Sequence, residues 1–268
     1  MPRKLAAAIL ILVIAGAVLA PWIAPFAYAR QFRDSPDAGP GGRFIMGTDD
    51  VGRDRFSRLL YATRVSLLLA PAAALVSVVL ALAISIPGGG GFAPIRRPIN
   101  GFTTICLSLP WLFLFIILRA ELPLNTAPLT SALLTFGLMG VAGFAWPARV
   151  FTASVREIRE SGWVLQGRAA GMRGWRIAAV HGWPHLRAIA AAQFRVLVPV
   201  YILSEASLGL LGLGVSDPLP SWGNLLQELQ HPDRVRANPW VLAPLGLLIA
   251  VTICLESLQG LPAGRRRE

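Results

Sequence analysis

Val65-Ser-Leu-Leu-Leu-Ala-Pro-Ala-Ala-Ala-Leu-Val-Ser-Val-Val-Leu-Ala-Leu-Ala-Ile-Ser-Ile86 contains no ionisable side chain. Wound as a helix it reaches about 33 Å, enough to cross a hydrocarbon core about 30 Å thick. Its uncharged run extends to Ile95, and others follow the same rule: Leu5–Ala29, Pro98–Leu118, Leu122–Ala148 and Ala237–Leu255 lack Asp, Glu, Lys and Arg. A sixth, Ala188–Ser216, is interrupted only by Arg195 and Glu205. The pattern predicts an all-α polytopic membrane protein with about six transmembrane helices, at roughly 5–25, 65–86, 99–118, 124–147, 188–213 and 239–257.

Composition agrees. The 268 residues are 54% hydrophobic and 15% charged, against about a quarter charged in a soluble domain. Helices buried in a soluble core would need polar helices to cover them, and the chain has none. The first apolar run has 25 uncharged residues, longer than the roughly 7–15 of a signal-peptide core, so an uncleaved first span is expected. The net charge of +11 belongs first to loops at the inner membrane surface rather than to a nucleic-acid partner. With the N-terminus inside, 14 basic residues fall on the cytoplasmic side and 10 outside, which favours cytoplasmic N- and C-termini.

The same reading excludes catalysis within the chain. Gly88–Gly91 is not followed by Gly-Lys-Ser/Thr, so it is no phosphate loop. Gly-x-Ser-x-Gly is absent. His181 and His185 stand four apart but are separated by Pro184 and lack a third ligand. Cys106 and Cys254 lie within separate spans. Neither a catalytic site, a metal site nor a bound cofactor is expected. Residues 1–64 read as the first helix with an extracytoplasmic loop, and 65–268 as a core of five helices with a basic loop at 149–187.

Three segments need more than bilayer crossing to explain them. Met46–Arg64 holds three aspartates and four arginines, net +1, and its acids are expected to balance Arg53, Arg55 and Arg58 locally. Trp163–Ile177 reads as a short basic helix broken at Gly171 and Gly174. Its Val164, Arg168, Ala169, Ala170, Gly171, Met172 and Arg173 suit either anionic headgroups or a cytosolic partner. In Ser204–Gly214 an intramembrane acid, Glu205, faces a protein interior or an aqueous cavity. Ser207, Gly209, Gly212 and Gly214 beside it permit close helix approach. Pro220–Asn224 then forms a capped turn, with Trp222 suited to the membrane interface.

Met46-Gly-Thr-Asp-Asp-Val-Gly-Arg-Asp54, with Ser57-Arg-Leu-Leu-Tyr61 and Arg64-Val-Ser-Leu67, resembles the signature of the C-type permease subunit of dipeptide, oligopeptide and nickel ABC importers. Glu205-Ala-Ser-Leu208, Leu211-Gly-Leu-Gly214 and Pro220-Ser-Trp-Gly-Asn224 resemble its second hallmark, and His181-Gly-Trp-Pro184 its His-x-x-Pro. The cytoplasmic loop departs from the family's Glu-Ala-Ala-Arg-x-x-Gly: Leu165-Gln-Gly-Arg-Ala-Ala-Gly171 keeps only Arg168 and Gly171.

The resemblance implies a type I ABC importer permease fold in a bacterial inner membrane. It implies a homologous second permease subunit, two cytosolic ATPase subunits that bind the ATP, and an extracytoplasmic substrate-binding protein. The cargo would be di- or oligopeptides, with nickel or another small solute possible. Gly47, Thr48, Asp49, Gly52, Arg53 and Asp54 would be the family's extracytoplasmic motif. Two alternatives stand beside it: a secondary carrier using Glu205, and an uncoupled membrane scaffold.

Overall fold

The computed structural model describes residues 1–89, 93–121 and 127–259. Gly90, Gly91 and the expected basic tail at Arg265–Arg267 lie outside them. Thirteen α-helices follow one another among the described residues, and β structure is confined to two isolated bridges, Gln31 with Arg53 and Thr48 with Asp54.

In chain order these are α1 (Arg3–Val18), α2 (Ala20–Ile23), α3 (Arg55–Gly88), α4 (Ala93–Ser108), α5 (Trp111–Ala120), α6 (Pro128–Ala142) and α7 (Ala145–Glu160). The short α8 (Gly162–Ala169) and α9 (Gly174–Ile177) precede α10 (Trp183–Leu210), α11 (Trp222–Leu226), α12 (Pro232–Ala237) and α13 (Ala243–Gln259).

Among the described residues four helical stretches are long and apolar enough to cross a membrane: Arg55–Gly88, Pro128–Glu160, Trp183–Leu210 and Pro239–Gln259. The other two expected spans are interrupted. The first bends at Leu19, where Pro21 in the first turn of α2 carries no N–H. The third breaks before Trp111, at Pro110. The second starts ten residues earlier than its uncharged run, because Asp54 caps it: Asp54 Oδ2 accepts the Ser57 N–H at 2.8 Å, the third amide of the helix.

By compactness the chain divides into two units that each draw on several stretches. Unit 1 comprises 1–70, 118–136 and 199–268; unit 2 comprises 71–117 and 137–198. In unit 1, α1 packs along α13, burying Ala6 and Ala17 on one helix and Leu248, Val251 and Cys254 on the other. In unit 2, α3 turns small residues inward (Ala73, Ala74, Ser77, Ala81) and large ones outward (Leu75, Val79, Ile86). This inverts the soluble pattern and suits helices whose outer faces meet lipid. Close approach to α6 occurs at Gly140, whose carbonyl accepts the Ser77 hydroxyl at 2.5 Å. A Cβ there would stand 3.0 Å from Val76 Cβ.

Candidate functional site

Unit 1 gathers the Met46–Arg64 motif and the segment after α10 into one polar platform. Asp49, almost fully buried, organises it. Its Oδ1 accepts the backbone N–H groups of Val51 (3.2 Å) and Arg53 (2.7 Å). Its Oδ2 pairs with Arg53 Nε at 2.6 Å and lies 3.8 Å from Arg58 Nε. Thr48 Oγ1 accepts from Ala38 N–H at 2.8 Å and donates to the Ser35 carbonyl at 2.6 Å, fastening the irregular loop before the motif. Gly47 and Gly52 have φ of +75° and +80°, a region open to glycine. Side chains there would overlap the Ala38 and Phe32 carbonyls.

Of the motif's acids only Asp49 balances its arginines locally, pairing with Arg53 and lying near Arg58; the remaining charges pair at a distance, which corrects that part of the expectation from sequence. Asp217 Oδ1 receives both Arg53 Nη1 and Arg58 Nη2 at 3.1 Å. Arg55 pairs with Glu228, and Asp50 with Arg234 at 3.1 Å. Asp54 acts as a helix cap rather than as a counter-ion. A folded loop brings in carboxylates more than 150 residues away, which no local pattern reveals. Burial works against the Arg53 charge, but Asp49 and then Asp217 outweigh it and hold its pKa above the ordinary arginine value. The basic first loop is also held by aromatic rings: Arg30 and Arg43 stand over Phe32 at 4.9 and 4.6 Å.

In the same unit, Glu205 is fully buried. Its Oε2 accepts Gly223 N–H at 3.2 Å and the Ser66 hydroxyl at 3.4 Å, while Oε1 has no hydrogen-bond partner among the described residues. The turn it holds is a capping box: Ser221 Oγ accepts Asn224 N–H, and Asn224 Oδ1 accepts Ser221 N–H. Gly209, Gly214 and Gly223 meet at backbone distance. A Cβ on Gly223 would stand 2.9 Å from Gly209 Cα, and one on Gly214 2.7 Å from the same atom.

Gly212, at φ +78°, ends α10: Leu213 N–H reaches Leu208 O and Gly212 N–H reaches Gly209 O. Ser207 is exposed, its hydroxyl donating to Leu203 O at 2.9 Å. Trp222 is not at an interface. It is fully buried because its indole N–H finds Thr63 Oγ1 at 3.1 Å and its backbone N–H the Ser66 hydroxyl at 3.2 Å.

In unit 2, α8 stops in a Schellman turn. Met172 N–H reaches Gly167 O and Gly171 N–H reaches Arg168 O, each at 3.0 Å, with Gly171 at φ +74°. Val164 is buried in the protein itself and Met172 is half-buried, whereas Arg168, Ala169, Ala170, Gly171 and Arg173 are exposed. Leu165, 55% exposed, joins Arg168 and Ala169 on the outer face, and helical spacing alone would have found it.

Long apolar helices that carry a buried acid, an ion-paired platform and a presented short helix fit a multi-pass membrane protein. The chain belongs to the family of binding-protein-dependent transport system inner membrane components, whose model matches residues 81–268. It is similar to the di/tripeptide transport system permease protein DppC of Pseudomonas aeruginosa, 30% identical over 94% of this chain and 82% of that one. The oligopeptide transport system permease protein OppC of Escherichia coli K12 is 29% identical over 92% and 80%. The dipeptide transport system permease protein DppC of Bacillus subtilis is 28% identical over 94% and 77%. The chain is thus a multi-pass, non-catalytic permease subunit of a transporter that depends on a binding protein.

Proposed function

We propose that this chain is one of two homologous permeases in an ATP-driven importer of di- and oligopeptides, served by two cytosolic ATPase subunits that bind the ATP. Both termini are cytoplasmic and the chain crosses six times, with the first and third spans interrupted at Leu19 and Pro110. In this orientation the Asp49–Asp217 platform faces the extracytoplasmic binding protein and α8 faces the ATPase. The observation that carries the reading is α8. A short helix with small and basic residues outward, stopped sharply at Gly171, is built to enter a groove. Its outward residues are Leu165, Arg168, Ala169 and Ala170, so coupling here uses Leu165 where the family pattern has an acid. Glu205 is sealed between Ser66 and Gly223, which supports a structural role over an ion site of a secondary carrier.

Co-purification tests it. Solubilised with its genomic neighbours, the chain should retain ATPase subunits, and hydrolysis should rise when the binding protein is loaded with a dipeptide. A chain that purifies alone, or hydrolysis indifferent to the binding protein, defeats the proposal.

A further inference from the structure

Unit 2 contains an open cleft of about 640 Å³ between α4 and α7, lined by charged and polar residues, within the roughly 300–1,000 Å³ range of small-molecule sites. Both helices turn a polar stripe toward it. From α4 come Arg96, Asn100, Thr103 and Thr104; from α7 come Arg149, Thr152, Arg156, Glu157 and Glu160. These spacings of three and four residues put each set on one helix face. Gly88 and Gly89 close one wall. A Cβ on Gly89 would stand 2.6 Å from Val155 Cγ1, and Arg159 Nη1 donates to the Gly89 carbonyl at 3.4 Å.

The charges in the cleft are of both signs. Arg156 and Glu160 neutralise each other at 3.1 Å. Arg96, Arg149 and Glu157 form no ion pair among the described residues, so two cations and one anion are left to a ligand. A site for a simple anion would not carry Glu157. Arg149 and Glu157 are eight residues apart, about 12 Å along the axis and some 80° round it. Three to four extended residues at about 3.5 Å each span that gap directly, and two do so when the Arg149 and Glu157 side chains lean toward each other.

A lipid headgroup is the other chemistry that arginines of this kind attract, but α4 argues against it. Its exposed Ile95, Phe102, Ile105 and Leu109 lie on the side opposite Arg96, Asn100 and Thr103, so lipid meets one face and the cleft opens on the other.

We propose that this cleft binds the zwitterionic main chain of a short peptide on the cytoplasmic side of the importer, Arg96 and Arg149 taking its carboxylate and Glu157 its ammonium group. The proposal rests on the peptide-importer reading and adds a release subsite. There, accumulated product occupies the permease and slows further import.

The test uses the complete importer in proteoliposomes, fed labelled dialanine from outside and preloaded with dialanine, dialanine amide or buffer. Internal dialanine should slow import and the amide should do so far less. Arg96→Gln and Arg149→Gln should raise the internal dialanine needed for half-inhibition roughly tenfold, the loss expected for one charge-assisted contact. Arg149→Lys should restore part of it, which a merely misfolded variant would not. Import that ignores internal dialanine, or inhibition untouched by both substitutions, overturns the subsite while leaving the importer reading intact. An effect that follows the phosphatidylglycerol content of the vesicles instead makes the cleft a lipid site and overturns it too. Failure of the wild-type importer to carry dialanine or any longer peptide refutes the underlying reading.

Discussion

Gly223 donates its backbone N–H to Glu205 Oε2 across 3.2 Å, and a Cβ on the same glycine would stand 2.6 Å from Glu205 Oε1. One residue therefore supplies both a hydrogen bond and the absence of a side chain that lets the acid sit there. Glu205→Ala should lower stability by roughly 1–3 kcal/mol, since Gly223 N–H and the Ser66 hydroxyl lose a buried acceptor. Glu205→Gln keeps an acceptor oxygen and should cost less. Thermal unfolding of the detergent-solubilised protein distinguishes them, and equal losses for the two variants would show that the charge itself is required.

Gly209→Ala and Gly223→Ala should each destabilise by about 1–3 kcal/mol or more, the usual cost of forcing a methyl group into filled space. Gly246→Ala, with nothing within 4 Å of its Cβ position, is the matched control on an open helix face. Membrane abundance of the three variants should fall in the first two only.

The platform separates buried from exposed ion pairs. Asp49→Asn leaves Arg53 and Arg58 to share Asp217 and weakens a buried acceptor of two backbone N–H groups, and should cost roughly 1–3 kcal/mol. Asp50→Asn breaks a pair whose side chains are 30% and 45% exposed and should cost about 0–1 kcal/mol. Similar losses in melting temperature for both would contradict the burial contrast.

Asp54→Ala removes the cap at the start of α3 and should cost about 1 kcal/mol, with Asp54→Ser recovering most of it. Proteolysis at the exposed motif loop would report fraying of the first turn before global unfolding.

At α8 the expected phenotype is functional. Gly171→Val forces a β-branched residue to φ +74°, where glycine is favoured, and Arg168→Glu reverses an exposed charge. Both should reduce binding-protein-stimulated ATP hydrolysis by the whole complex while leaving membrane insertion unchanged. Val164→Ala, which trims a side chain buried in the protein itself, should instead lower stability.

Much of the architecture was legible because lipid imposes a one-dimensional rule: uncharged stretches of sufficient length become helices. That rule locates helices but not their ends, since caps act through single hydrogen bonds. The acceptance of Ser57 N–H by Asp54 moves the start of α3 ten residues ahead of its apolar run. Proline is no surer a guide: the chain breaks near Pro21 and Pro110, whereas Pro71, Pro87, Pro98 and Pro199 stand inside continuous helices. Within the candidate site, the glycines around Glu205 were legible as close-packing positions. Their partner, the Pro220–Asn224 turn, was visible only as a turn.

The sequence by itself determined the class of protein, the helical segments and the family, because composition, charge-free length and contiguous motifs are local properties of a chain. Tertiary structure alone decided who pairs with whom. Asp217 joins Arg53 to Arg58 and Glu228 takes Arg55. Trp222 is buried on Thr63 instead of lying at an interface. Each is a contact in space between residues whose separation along the chain carries no trace of it, selected by the need to satisfy buried charges and polar groups at once.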